Sequence, residues 1–283
     1  LSVRNNMDRL GANDQKEETK APAAVLSPLN FVAPTEFVEL PSKGQGYTAT
    51  HPLSGKDVIE IKFMTAKEED ILTSATLLKK GIAVDRFLQN IICDSGVSVD
   101  DLLIGDKNAI LIAARASGYG PQYETQVACP NCSTKTEMSF DLTAPKILES
   151  KYDTDLGISR TENGTFTIKM PYTKFTVEVK LLTGKDEKYI AQLSKNKSKG
   201  GLAETTMTDQ YKRMIVSVEG LTERNTVNHY VDNMPLRDAR HLRLAYKMVS
   251  PDIKIAEDFE CSTCGHEQEL EVPFGADFLW PDR

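Results

Sequence analysis

The chain has 283 residues, 40% of them hydrophobic, and a formal net charge of −7. That is enough apolar material to bury a core without staples, and the acidic balance argues against a protein whose main work is gripping a phosphate backbone, which takes clustered Lys and Arg. No run approaches the roughly 18 to 20 apolar residues of a membrane span, and the start lacks the apolar core of a secretory signal, so a soluble, cytoplasmic chain without a membrane partner is expected.

Residues 1–35 are rich in Asn, Lys, Glu, Ala and Pro without an apolar period, the composition of a flexible or partner-ordered extended arm. FVELPSKGQGYTATHPL, from Phe37, suits an extended, turning segment. In KDVIEIKFM, Val58, Glu60 and Lys62 alternate with Ile59, Ile61 and Phe63, a half-buried strand. From Thr65 the period changes. Thr65 and Glu68 have capping-box spacing, Ile71, Leu72, Ala75 and Leu78 share a face, and Gly81 closes a single predicted helix. A second helix carries Val84, Phe87, Leu88, Ile91 and Ile92, with Cys93 as a small buried hydrophobe beyond them, and a third runs from near Asp106 to Gly118.

Two strand-like runs then flank CPNC (129–132), as in a hairpin whose turn holds the cysteines. GTFTIKM and FTVEVKLLT predict a second hairpin, with Phe166, Ile168 and Met170 on one face. A polar helix from Thr183 and Asp186 to about Ser194 is broken by KNKSKGG, a solvated loop. Tyr211, Met214, Ile215 and Val218 read as one helical stripe, and another helix lies between Pro235 and Pro251. FECSTCGHEQELEV repeats the cysteine hairpin.

Four of the five cysteines sit in two C-x-x-C turns, Cys129 with Cys132 and Cys261 with Cys264. Two such turns complete the four-sulfur shell that Zn²⁺ favours, and a shell filled by protein leaves no position for water or substrate, so the ion would be structural. The 133–260 connection is far longer than ribbon spacing. The first knuckle, however, precedes a self-sufficient α+β block and the second follows it, which fits an insertion between the halves of one ribbon. Two separate unmetallated or redox pairs are the alternative. Ser133 stands where a knuckle often has Gly, Gly265 is the expected residue, and His266 belongs outside the shell. No Walker loop, GxGxxG, HExxH or GxSxG occurs. His51, His229 and His241 have no nucleophile beside them, so no enzyme is expected.

The fold class is therefore α+β: an N-terminal extended arm, a helical unit, and a zinc-ribbon-like pair of CxxC hairpins flanking an inserted α+β block. The segments are 1–35, the arm; 36–142, the extended segment, helical unit and first knuckle; 143–256, the inserted hairpin and helices; and 257–283, the second knuckle with an aromatic tail.

FVELPSKGQGYTATHPL, FMTAKEEDILTSATLLKKG, the two knuckles and the closing FGADFLWP together resemble the baseplate hub protein family of T4-like contractile-tailed bacteriophages, from about Phe37 to the end of the chain. The resemblance implies a structural or assembly subunit of the tail baseplate, made in the host bacterial cytoplasm, with other baseplate and tail subunits as partners and Cys129, Cys132, Cys261 and Cys264 as zinc ligands. The arm would thread onto neighbouring subunits. Phe274, Phe278, Leu279 and Trp280 would either meet a partner or fold back onto their own domain. A zinc-ribbon nucleic-acid-binding or transcription-associated protein is the competing class; KNKSKGG is its one basic candidate.

Overall fold

A computed structural model describes residues 32–151, 156–199, 205–273 and 276–280. Most of the expected arm, and Phe274 of the tail, lie outside the described residues.

Strand β1 (Thr35–Glu39) pairs antiparallel with β2 (Val58–Lys62), and Ile59 and Ile61 of β2 point inward as their alternation requires. Between them PSKGQGY doubles back in turns. At Gly44 the backbone has φ +68°, and a Cβ would fall 2.4 Å from the Lys56 nitrogen, so the crossing takes glycine.

Thr65 caps α1 (Ala66–Thr73) through the reciprocal capping box with Glu68. The predicted single helix is two: Ser74, at φ −61° and ψ 107°, separates α1 from α2 (Ala75–Lys80). Thr73 Oγ1 donates to the Glu69 carbonyl at 2.9 Å, a local bond of the kind by which Ser and Thr compete with helix continuation. Gly81 ends α2 at φ +70°. Helix α3 (Ala83–Ile91) buries Phe87, Leu88 and Ile91; a 3₁₀ turn (Val99–Asp101) leads to α4 (Ile104–Tyr119).

After α4 come the hairpin of β3 (Gln122–Ala128) and β4 (Lys135–Asp141), then the short β5 (Lys146–Leu148). The next block is a four-stranded antiparallel sheet in the order β6 (Ile158–Arg160), β7 (Phe166–Lys169), β8 (Thr176–Val179) and β9 (Ile215–Val218). Phe166, Ile168 and Met170 are buried together as expected. Helices α5 (Gly184–Lys199) and α6 (Thr206–Met214) connect β8 to β9, and α7 (Arg224–Asp232) and α8 (Leu236–Val249) follow.

Two expectations are corrected in this block. Helix α5 does not stop at Ser194 but runs through the basic segment to Lys199, because Lys197 reaches Asp209 of α6 at 2.6 Å and cations suit a helix C-terminus. Residues 215–218 do not continue α6. The β-branched Ile215, Val216 and Val218 instead form β9 against β8.

Beyond α8, β10 (Asp252–Lys254) pairs with β5, a three-residue match too short to show as alternation in sequence. It lies against α4 so closely that a Cβ on Gly105 would fall 2.1 Å from the Pro251 carbonyl oxygen. Strands β11 (Ala256–Glu260) and β12 (Glu267–Glu271) form the last hairpin, and α9 (Ala276–Leu279) follows. The fold is α+β with several small sheets.

Buried side chains fall into two clusters. One draws on residues between Val38 and Leu142 and again between Ile255 and Leu279; the other draws on Leu103 and on residues between Ile158 and Val249. Ion pairs cross between α4, α3 and α5: Lys107 meets Asp85 at 3.1 Å and Glu187 at 2.8 Å, and Lys188 meets Asp85 at 3.1 Å and also Asp100.

The aromatic tail folds back. Phe278 and Leu279 are buried in the first cluster, the Phe278 ring meeting Tyr123 edge-on at 5.1 Å, and the Phe278 carbonyl accepts from Arg115 Nε at 2.7 Å. Trp280 Nε1 donates to the Leu72 carbonyl at 2.9 Å. Phe278 and Leu279 are thus part of the chain's own packing.

Candidate metal centre

The β3–β4 and β11–β12 hairpins present their cysteine turns to one another. Each turn is built by the same backbone bonds. Cys129 N donates to the Thr134 carbonyl at 2.9 Å and Ser133 N to the Cys129 carbonyl at 2.8 Å; Cys261 N and Gly265 N make the matching bonds to His266 and Cys261 at 2.9 and 2.8 Å. Both turns close on a left-handed residue, Ser133 at φ +60° and Gly265 at φ +65°. The weaker-looking first turn therefore has the same geometry as the second, with Ser133 accepting a conformation that glycine adopts without strain. Nothing lies within 4 Å of a Cβ built on Gly265. Gly265→Ala should therefore cost only the backbone term, about 1 kcal/mol, read as a small fall in thermal midpoint with metal stoichiometry unchanged.

The four sulfurs, two on each hairpin, all lie within 4.8 Å of one another. Cys129 Sγ is 3.7 Å from Cys264 Sγ, and Cys132 Sγ is 3.6 Å from Cys261 Sγ. These separations are far beyond a disulfide bond, and all four are free thiols. A tetrahedral ion bound at about 2.3 Å to sulfur spaces its ligands about 3.8 Å apart, so the donor set fits one ion shared by both hairpins. Cys129 and Cys261 are buried, Cys132 and Cys264 exposed. The sequence-predicted ligands are thus brought together across the 133–260 segment.

The local electrostatics favour thiolate character on part of the set. Hydrogen bonds from the hydroxyl and backbone of Thr134 push Cys132 down to about 6, and the backbone N–H groups of Cys264 and Thr263 lower Cys261. Cys264 goes the other way, up to about 11: the Asn131 amide and the His266 N–H act to lower it, but desolvation together with the neighbouring Cys132 and Cys261 outweighs them. Crowded sulfurs resist carrying charge together unless a cation lies between them. His266 Nε2 is 3.2 Å from Gln268 Oε1, outside the four-sulfur cluster.

A second polar centre carries no motif in the sequence. Asp106 is fully buried at the start of α4; its Oδ1 accepts from Ser42 N at 3.0 Å, and its Oδ2 from Ser42 Oγ at 2.6 Å and Tyr47 OH at 2.7 Å. Tyr47 OH in turn accepts from Leu103 N at 3.1 Å. Ser42 and Tyr47 belong to PSKGQGY, so that segment is pinned to α4 through one carboxylate. The signal available in sequence was the Ser-Gly-Tyr turn. Nothing local marked Asp106 as its partner, because an acid in a first helical turn is ordinarily explained by the macrodipole. His51 stacks on Tyr47 with centroids 4.3 Å apart, and its Nδ1 accepts from Leu53 N at 3.1 Å.

Among the described residues no helix is long and apolar enough to cross a membrane. No curated protein and no solved structure matches the chain. Residues 34–280, which carry both the pinned PSKGQGY segment and the four-cysteine centre, match the family model described as T4 bacteriophage base plate protein, and the chain belongs to that family.

Proposed function

We propose that the chain is a structural and assembly subunit of the hub region of a contractile-tail baseplate, held together by one structural zinc ion and acting through contacts with other baseplate and tail subunits. The carrying observation is the convergence of Cys129, Cys132, Cys261 and Cys264 in a member of the base plate family. Four protein sulfurs leave an ion no open position, which suits a clamp and not hydrolytic or Lewis-acid work. In this reading residues 143–256 are an insertion between the two halves of a zinc ribbon. The division of buried side chains into two clusters supports it. Residues 1–35 are the segment available for threading onto neighbours.

The test is complementation of a phage lacking the gene. The wild-type chain should restore sheathed tails and be found by mass spectrometry among central baseplate components. Normal tails without the chain would overturn the structural role, and recovery only with peripheral components would overturn the hub placement.

A further inference from the structure

Helix α8 turns one side to its own core, through Asp238, Leu242, Ala245 and Val249, and exposes Leu236, Arg237, Arg240, Arg243, Leu244 and Lys247. At 100° per residue these six fall on one stripe. It carries four cations and no carboxylate; Asp238, the acid of this helix, is buried and accepts from Tyr172 N and from the amide and hydroxyl of Thr173. Among the described residues none of the four cations forms an ion pair. Leu236 and Leu244 on the same stripe are 77% and 55% exposed. In a chain of net charge −7, this is a basic, partly apolar face with no ion pair among the described residues.

The complementary surface is on the same chain. The β11–β12 register sets Asp258 opposite Glu269 and Glu260 opposite Glu267, with Glu271 opposite Ala256, so five carboxylates share one side of the hairpin while Phe259 and Leu270 on the other side join the core. Like charges directly opposite destabilise a strand pair. Lys254 reaches Glu269 at 2.5 Å and Glu271 at 3.8 Å, and Lys146 reaches Glu269 at 3.6 Å; Asp258, Glu260 and Glu267 have no ion pair among the described residues. The lengths agree: Arg237 to Lys247 spans about 15 Å of helix, and a five-residue strand about 17 Å. Among the described residues no ion pair joins the two faces within one chain.

We propose that the basic face of α8 docks on the acidic face of the β11–β12 hairpin of a second copy of this chain. The two patches differ, so the contact is head-to-tail and propagates into a ring or a filament. The proposal does not depend on the baseplate reading.

Sedimentation velocity of the full chain tests it. At about 0.05 M salt the mass should rise above monomer with concentration, and at about 0.5 M salt it should return to monomer. Arg240→Glu with Arg243→Glu, or Asp258→Lys with Glu267→Lys, should each weaken self-association at least ~10-fold while keeping the wild-type melting curve. Mixing the two variants should restore association, since the acids introduced on one variant's helix then meet the lysines introduced on the other's hairpin; so should all four changes in one chain. A wild-type chain monomeric at low salt at every concentration, or reversed variants that associate like wild type, would overturn the proposal. So would a monomer that binds duplex DNA through the α8 cations, which would assign the face to nucleic acid.

Discussion

Asp106→Ala is expected to lower unfolding stability by about 3 to 4 kcal/mol, because it strips a fully buried acceptor from Ser42 N, Ser42 Oγ and Tyr47 OH at once. Asp106→Asn keeps the shape and one acceptor oxygen and should cost about half as much. Denaturant melts of the two variants beside wild type measure both values. The carboxyl also sets a pH dependence. Burial raises its pKa above the ordinary 3.8, against the lowering effect of the Ser42 and Tyr47 hydrogen bonds. The folded chain therefore holds this proton to higher pH than the unfolded chain, and this group's contribution to stability falls as pH rises from 3.8 through the raised value. Asn has no such proton, so the stability difference between wild type and Asp106→Asn should narrow across that window. A constant difference would show that folding leaves the Asp106 pKa where it is in the unfolded chain.

Cys129→Ser combined with Cys264→Ser should have the other large effect. It removes one sulfur from each hairpin, leaves too few thiolates to hold an ion, and should cost about 4 kcal/mol or more, a fall in melting midpoint on the order of 10 °C for a chain of this size. The loss should be local before it is global. The β3–β4 and β11–β12 hairpins should become cleavable in limited proteolysis while the β6–β9 sheet, with its own buried cluster, stays protected. A chelator should reproduce this pattern in the wild-type chain and change nothing in the variant. Unaltered melting and proteolysis in the variant would mean that the hairpins hold each other by packing alone.

What could be read from sequence follows the range of the physics. Capping-box spacing at Thr65 and Glu68, alternation at Ile59 and Ile61, and the doubled C-x-x-C turns are local, and each is present in the structure. The failures are places where a distant partner decides. Ile215 to Val218 kept helical spacing but had β8 beside them, and α5 outran its polar composition because Asp209 waited for Lys197. Ser74 broke a helix whose apolar stripe runs past it unchanged. Asp106 was visible only as the start of a helix, because its partners lie 59 and 64 residues away. The cysteines escaped this limit because their chemistry is specific enough to pair across a long segment, and the tail aromatics did not: the same Phe278 and Leu279 suit a partner or a core until the fold places them.

The central claim is that one ion joins residues 129–132 to 261–264, and the most direct measurement is elemental analysis of the purified wild-type chain, with free thiols counted in the native state. One zinc per chain is expected, with four cysteines shielded from thiol reagents until a chelator is added. No bound metal, with Cys132 and Cys264 reacting freely, would contradict it.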